Sequence, residues 1–148
     1  MAAAQEAVDA FDEAAAQRLA IHRTDLRCLG VLDREGPMVA SVLADRVGLS
    51  RPAMTAALDR LTAAGYVGRV HDTEDRRRVL VEVTSRARRV GRDIWGPVTR
   101  EGLAHASRYS VEQLRTILDF LRADRELQER HAARLRGARG RQVKRAAG

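Results

Sequence analysis

The residues with the clearest potential for chemistry lie in one short stretch, Ser50-Arg51-Pro52-Ala53-Met54-Thr55-Ala56-Ala57-Leu58-Asp59-Arg60-Leu61. Ser50 is a good helix N-cap and Pro52 is tolerated in a first helical turn, so a helix is predicted to begin here. Met54, Leu58 and Leu61 recur at helical spacing and form an apolar face that packs. The opposite face is small, and the arginine at its leading end can donate a fork of hydrogen bonds. These features suit insertion into a groove of DNA.

A second group of basic residues lies about fifteen positions further on, where Arg76, Arg77 and Arg78 follow one another. They close a polar segment, 71–78, between two stretches that are typical of β-strands, 66–70 and 79–83. The pattern predicts a hairpin with an arginine-rich loop, called a wing. Because neighbouring side chains of a strand point to opposite faces, the three arginines cannot all make the same contact.

The residues before the first stretch predict a short helix and a tight turn. Leu43 and Val47 share one face of the segment 38–47, and Gly48-Leu49-Ser50 follows. A glycine can adopt the positive φ that such a turn requires, and Gly65 is suited to end the next helix in the same way. A helix, a tight turn and a capped second helix make the pattern of a helix-turn-helix.

At these residues the chain resembles the multiple-antibiotic-resistance regulator (MarR) family of winged helix-turn-helix transcription factors. The resemblance lies in the Gly48-Leu49-Ser50 turn, in Asp59-Arg60-Leu61 followed by Gly65-Tyr66-Val67, and in a wing that runs from Asp72 through Asp75-Arg76-Arg77 to Val81-x-Val83-Thr84. It is densest over residues 24–98. Val39 departs from the family pattern, which usually has Ser or Thr at this N-cap, and Ser41 is an alternative cap. The resemblance implies a mainly α-helical fold with a small β-hairpin wing, and N- and C-terminal helices that form a dimerisation region.

The proposed DNA contacts combine the residue types with the resemblance. On the recognition helix, Arg51 is expected to contact guanine or phosphate, and Thr55 and Ala56 base edges or a thymine methyl. Arg60 is expected to bind phosphate or brace the wing. On the wing, the resemblance implies that Arg77 enters the minor groove and that Asp75 orients it. The expected site comprises Ser50, Arg51, Pro52, Thr55, Ala56 and Arg60 on the helix, and Asp75, Arg76, Arg77 and Arg78 on the wing, where Arg76 and Arg78 contact phosphates or the wing base.

The rest of the chain divides into segments around this motif. Residues 1–23 are expected to form an N-terminal dimerisation helix, 24–84 the DNA-binding lobe with Thr24 as the cap of its first helix, and 85–135 the long helices of the dimerisation region. Ser110 and Gln113 have the spacing of a capping box that begins the last helix. Residues 136–148 are glycine-containing and basic, and we expect a disordered tail.

Composition limits the possible classes of protein. No apolar run approaches the roughly 20 residues of a membrane span, and the N-terminus lacks the features of a secretory signal, so a cytoplasmic protein is expected. The formal net charge is +7, but six of the 27 basic residues and none of the 20 acidic residues lie from Ala132 onward. Most of the net charge is therefore in the tail, and the local arginines of the wing are the better indication of DNA binding.

A site for a small aromatic or phenolic effector is expected from the resemblance, and His22, Cys28 and Trp95 are its candidate residues. Each has a simpler interpretation: a surface histidine, a buried cysteine that packs in the core, and a core or interface tryptophan. Cys28 is the only cysteine, so neither an intrachain disulfide nor a multi-cysteine metal site can form. The four histidines have no acidic partner at metal-ligand spacing, and we expect no metal or cofactor.

Three functions remain open from the sequence. The first is a homodimeric, sequence-specific transcriptional regulator, expected to be a repressor, that binds a pseudo-palindromic operator and is released by an effector. The second is a non-specific or architectural nucleic-acid-binding protein whose basic tail supplies the affinity. The third is an interaction module or small enzyme on the same scaffold. The sequence has no nucleophile elbow, phosphate loop or dinucleotide fingerprint, so we expect no catalysis.

Overall fold

The computed structural model describes the backbone of residues 2–146 and the side chains of residues 2–135. It confirms the predicted fold class, a mainly helical chain with one two-stranded antiparallel hairpin. The elements are α1 (Ala2–Leu19), α2 (Arg23–Glu35), α3 (Ala40–Val47), α4 (Arg51–Ala63), β1 (Val67–His71), β2 (Val79–Val83), α5 (Ser85–Ala106) and α6 (Val111–Ala146). None of the helices in this described part of the chain is long and apolar enough to cross a membrane.

Helices α2, α3 and α4 pack together with the hairpin around one hydrophobic core. Leu32, Leu43 and Leu61 are at most 1% exposed and lie at its centre. The C-terminal half of α1 contributes Ala15, Ala16 and Leu19. The apolar faces that helical spacing predicted are therefore the faces that the lobe buries.

The turn between α3 and α4 has the predicted geometry. Gly48 adopts the left-handed conformation with φ 76°, and its N–H donates to the Ala44 carbonyl oxygen at 2.8 Å. Ser50 caps α4, because its Oγ accepts a hydrogen bond from the Ala53 N–H at 3.3 Å. This small set of local bonds fixes the direction in which α4 leaves the turn.

The end of α4 and the start of α5 are joined by hydrogen bonds around Gly65. Gly65 has φ 73°, and the Tyr66 N–H donates to the Leu61 carbonyl oxygen at 2.9 Å, a common way to end a helix. The Thr84 hydroxyl donates to the Gly65 carbonyl oxygen at 2.8 Å and accepts from the Ala87 N–H at 3.1 Å. Thr84 therefore caps α5 and ties the two ends of the hairpin together.

The hairpin pairs Val67 with Val83 at its base and His71 with Val79 near its tip. A third segment adds to its outer edge, because Met38 exchanges two backbone hydrogen bonds with Val81, at 2.8 and 3.2 Å. The wing is thus anchored to the loop that precedes α3. Its base is held by the same lobe that holds the helix-turn-helix.

Two details of the N-terminal half differ from the sequence-based expectation. Helix α2 begins at Arg23 with His22 as its N-cap, so the prediction of Thr24 as the cap was wrong. The reason is that the Asp25 carboxylate accepts the His22 backbone N–H at 3.3 Å, which satisfies the helix start two residues earlier. Val39 is the N-cap of α3 and makes no side-chain hydrogen bond, and Ser41 lies inside that helix.

The chain divides into two compact units, Met1–Val98 and Thr99–Gly148. In the second unit the predicted capping box is present: the Gln113 Oε1 accepts the Ser110 N–H at 2.8 Å, and the Ser110 Oγ accepts the Gln113 N–H at 3.2 Å. Helix α6 then continues to Ala146, so the disorder expected from residue 136 is not what the backbone shows up to that residue. Arginine, alanine, glutamine and lysine are good helix formers, and they outweigh two glycines. The side chains of this part lie outside the described residues.

One buried ion pair joins α2 to α4. The Asp25 side chain is 0% exposed, and its two oxygens accept hydrogen bonds from Arg60 Nε at 2.9 Å and Arg60 Nη2 at 2.6 Å. The hydrogen bonds with Asp25 raise the pKa of Arg60 further above its usual value, so the guanidinium is charged at neutral pH. A buried carboxylate of this kind is tolerated only because its hydrogen-bonding capacity is filled.

We predict that Asp25→Ala lowers the free energy of unfolding by about 1 to 3 kcal/mol, because the His22 N–H and the Arg60 guanidinium lose their shared acceptor. Asp33→Ala is the matched control, since Asp33 is an exposed aspartate of the same helix. Urea denaturation of both variants at one protein concentration measures the difference. Equal stability of the two variants would contradict a structural role for the ion pair.

Candidate nucleic-acid interface

Helix α4 has one buried and one exposed side. Met54, Ala57, Leu58 and Leu61 are buried in the core. The residues that are exposed on the other side include Arg51, Pro52, Ala53, Thr55, Ala56, Asp59 and Thr62. The described part of the chain thus leaves this outer side of α4 uncovered, as a helix that enters a DNA groove requires.

Two of the predicted contact residues have hydrogen bonds within α4. The Ser50 Oγ accepts the Ala53 N–H, and its own hydroxyl proton remains available to a phosphate oxygen. The Thr55 hydroxyl donates to the Arg51 carbonyl oxygen at 3.1 Å. Arg51 has no ion-pair partner among the described residues, so its guanidinium is available at the N-terminal end of the helix.

Arg60 has a different environment from the one that the sequence predicted. Its guanidinium is held by Asp25 of α2, through Nε and Nη2, and it does not brace the wing. The side chain is nevertheless 43% exposed, which leaves Nη1 as a donor without a described partner. The main contact of Arg60 is therefore structural, because it holds α4 against α2.

The loop of the wing is ordered by two aspartates. The Asp72 Oδ1 accepts the Glu74 N–H at 2.9 Å, and the Asp75 Oδ1 accepts the Arg77 N–H at 3.0 Å. In addition, His71 Nδ1 lies 3.0 Å from the Arg76 carbonyl oxygen. Asp75 therefore positions Arg77 through the backbone.

The three consecutive arginines differ in their partners. Arg78 Nη1 lies 3.5 Å from Asp72 Oδ2, which places Arg78 at the base of the loop. Arg76 and Arg77 are exposed, and neither guanidinium has an ion-pair partner within residues 2–135. Two arginines at the tip of the wing are thus available to a negatively charged partner.

The three candidate effector residues have three separate environments. His22 is exposed at the start of α2, and Trp95 is half-buried with its ring edge-on to Phe11 at 6.1 Å between centroids. Cys28 is 0% exposed, which confirms the interpretation of a buried cysteine that packs in the core, and its place in an effector site stays a prediction. An open depression of about 490 Å³ occurs elsewhere, at the wing, lined by His71, Asp72, Thr73 and Arg76.

Sequence reasoning missed the partner of Arg60. Asp25 and Arg60 lie 35 positions apart, and no local periodicity connects them. One signal was available in the sequence: Asp25 lies next to the apolar Leu26 in the first turn of α2. A carboxylate that is buried at such a position needs a hydrogen-bonding partner. Asp72 was seen as part of the wing motif, but its ion pair with Arg78 was also missed.

Comparisons with known proteins agree with this arrangement. The family model described as "MarR family" matches residues 21–78, which include the helix-turn-helix and the wing up to Arg78. A Bacillus subtilis (strain 168) protein described as the uncharacterized HTH-type transcriptional regulator YcgE is 35% identical over 126 residues, 85% of this chain and 82% of its own length. The chain belongs to the MarR family. It is a DNA-binding transcriptional regulator of the helix-turn-helix type.

Solved structures of MarR-family type have the same fold. RV1404 from Mycobacterium tuberculosis has a TM-score of 0.64 and 24% identity, with 82% of this chain and 86% of that chain covered. NadR in complex with 4-hydroxyphenylacetate has a TM-score of 0.61 and 25% identity, with 80% of this chain and 84% of that chain covered. The second of these structures holds a small phenolic acid.

For this MarR-family chain we predict that the thiol of Cys28 is unreactive while the protein is folded. Burial, followed by the nearby charge of Asp25, raises the pKa of Cys28 to about 11, so roughly one thiol in a thousand is ionised at pH 8. A coloured thiol reagent should modify the native protein over hours and the urea-unfolded protein within minutes. Rapid modification of the native protein at pH 8 would contradict this account and would favour a redox role.

Proposed function

We propose that this MarR-family chain is a cytoplasmic homodimeric repressor that binds a pseudo-palindromic operator. In this proposal the two copies of α4 enter successive major grooves about 34 to 36 Å apart, and the two wings reach the flanking minor grooves. One observation carries the proposal. The same lobe has a helix, α4, whose outer side is uncovered and has small side chains, and a wing whose exposed arginines have no ion-pair partner among the described residues. Neither feature alone requires a duplex as its partner.

The wing supplies the contact that holds the lobe on the duplex. Arg77 is proposed to enter the minor groove, where a narrow groove has a strong negative potential that favours a guanidinium. Arg76 is proposed to contact phosphate, and Arg51 guanine or phosphate in the major groove. In this proposal α4 makes the contacts that depend on the DNA sequence. The wing, with its two exposed arginines, supplies more of the electrostatic attraction than α4 does.

The dimer is proposed to form through apolar surface that each unit exposes. On α1, Val8 is 55% exposed, although Ala15 and Leu19 of the same helix are buried. On α6, Phe120 is 59% and Leu121 53% exposed, next to the exposed Ile117 and Leu118. So much exposed apolar surface on a small helical chain favours a partner that covers it. If the partner is a second copy of the chain, the two-fold symmetry of the dimer would match the symmetry of a pseudo-palindromic operator.

An effector is proposed to change the fraction of dimers that fit the operator. The ligand class is a small aromatic acid, in line with the phenolic acid in the related NadR structure. Trp95 and His22 remain candidate contacts, and Cys28 becomes one only if the core opens. The dimer would exist in two states that differ in the spacing of the two DNA-binding lobes. The ligand can shift the equilibrium between these states only if it binds one of them more tightly than the other.

The proposal is tested by selecting duplexes from a random pool and footprinting the full-length protein on the selected sequence. We expect an inverted repeat whose half-sites are centred about 10 to 10.5 base pairs apart, or a multiple of that distance, with symmetric protection. A selected site without two-fold symmetry would contradict the homodimer model. Failure to select any sequence would contradict sequence-specific regulation itself.

We predict that Arg77→Ala weakens binding to the selected operator by roughly tenfold, a loss within the range of about 1 to 3 kcal/mol for a specific arginine contact. Arg108→Ala removes the same charge from an exposed residue between α5 and α6, outside the DNA-binding lobe, and should leave affinity within about twofold. Fluorescence anisotropy at one salt concentration measures both. Equal affinities of the two variants would overturn the role proposed for Arg77.

The alternative function, non-specific binding through the basic C-terminal segment, makes a different prediction for a chain that ends after Leu135. We expect this truncated chain to bind the operator more weakly but to keep its preference over random duplex DNA, because the sequence is read by α4. The slope of affinity against salt should decrease only in part. Loss of most of the affinity and of all preference would favour the alternative.

A further inference from the structure

The side chain of Thr55 has a defined orientation on the outer side of α4. Its hydroxyl donates to the Arg51 carbonyl oxygen of the same helix at 3.1 Å. A threonine has few χ1 orientations in a helix, so this bond fixes the positions of both branches of the side chain. The hydroxyl proton is used within the helix, so an outside partner can meet only the Cγ2 methyl or the acceptor lone pairs of the hydroxyl oxygen.

The neighbours of Thr55 on this side are also apolar. Pro52 and Ala56 are exposed, and neither side chain carries a hydrogen-bonding group. The charged side chains nearest to Thr55 along this side are Arg51, one turn before it, and Asp59, one turn after it. The centre of the reading face is therefore a patch of methyl and methylene groups with a cation at one end and an anion at the other.

The major groove offers one apolar group, the C5 methyl of thymine, and the other base edges there present hydrogen-bond donors and acceptors. We infer that Thr55, supported by Pro52 and Ala56, is a specificity-determining residue that recognises thymine through this methyl group. The inference rests on the proposed function and adds the chemical feature of the operator that α4 reads. Each half-site should contain at least one thymine that is recognised by its methyl group alone.

Two variants, each of which removes one branch or its polarity, separate the roles of the hydroxyl and the methyl. Thr55→Val keeps a methyl in the same place and removes the hydroxyl, whereas Thr55→Ser keeps the hydroxyl and removes the methyl. Both residues are close to threonine in helix propensity, and position 55 is exposed, so neither variant should disturb the lobe. Circular dichroism and thermal unfolding check that both variants fold like the wild-type protein.

The operator is varied in parallel by replacing single thymines of each half-site with deoxyuridine, which lacks only the methyl. Burial of one methyl-sized group corresponds to about a fourfold change in an equilibrium constant. We expect the wild-type protein to lose roughly fourfold in affinity at the thymine that Thr55 contacts. Thr55→Val should keep the same loss on uracil, whereas Thr55→Ser should bind roughly fourfold more weakly to thymine and no longer distinguish it from uracil.

The opposite pattern would overturn the inference. If Thr55→Ser keeps wild-type affinity and Thr55→Val loses it, the hydroxyl of Thr55 reads a base edge by hydrogen bonding. If no uracil substitution weakens the wild-type protein on its selected site, methyl recognition is wrong although sequence-specific binding stands. A wild-type protein that selects no sequence at all would overturn both the proposed function and this inference.

Discussion

The carboxylate of Asp25 has no exposed surface, and Arg60 satisfies both of its oxygens at 2.6 and 2.9 Å. Burial of a charge costs free energy unless its hydrogen-bonding partners are fixed. The ion pair therefore holds α2 and α4 in one relative position. Helix α4 is therefore held at a set rotation about its own axis relative to α2. Its apolar side faces the core, and its small outer side faces away. The rest of the DNA-binding surface depends on that rotation.

The arginines of this chain serve two different purposes, and the structure separates them. Arg60 and Arg78 are paired with aspartates and hold elements in place, and Arg23 joins α2 to Asp9 of α1 at 2.8 Å. Arg51, Arg76 and Arg77 are exposed and have no ion-pair partner among the described residues. Net charge cannot make this distinction, because each arginine counts equally in it. The local partners decide which cations are available to a duplex.

Much of the lobe could be predicted from sequence because its signals are local. Ser50 and Gly48 act through hydrogen bonds to residues within four positions, and the capping box of Ser110 spans three. The antiparallel strands followed from alternation and from the polar segment between them. These features depend on short-range geometry, which a residue pattern specifies almost completely.

The features that sequence reasoning missed are those that depend on distant or competing contacts. The ion pair of Asp25 and Arg60 joins residues 35 positions apart. The carboxylate of Asp25 also accepts the His22 N–H, so the N-cap of α2 is His22 and not the predicted Thr24. The length of α6 was underestimated because glycines were given more weight than the helix formers around them.

The central claim is that α4 and the wing project from one side of each lobe and straddle a duplex. A DNA-cleaving reagent tethered to the wing through Thr73→Cys tests it most directly, because Thr73 is exposed and the native Cys28 is buried. The unmodified sequence treated with the same reagent is the control and should not cut. We predict cleavage in the minor groove at the outer flank of each half-site, about half a helical turn, or roughly 5 base pairs, from the half-site centre. Cleavage between the two half-sites, or none on a bound operator, would contradict the claim.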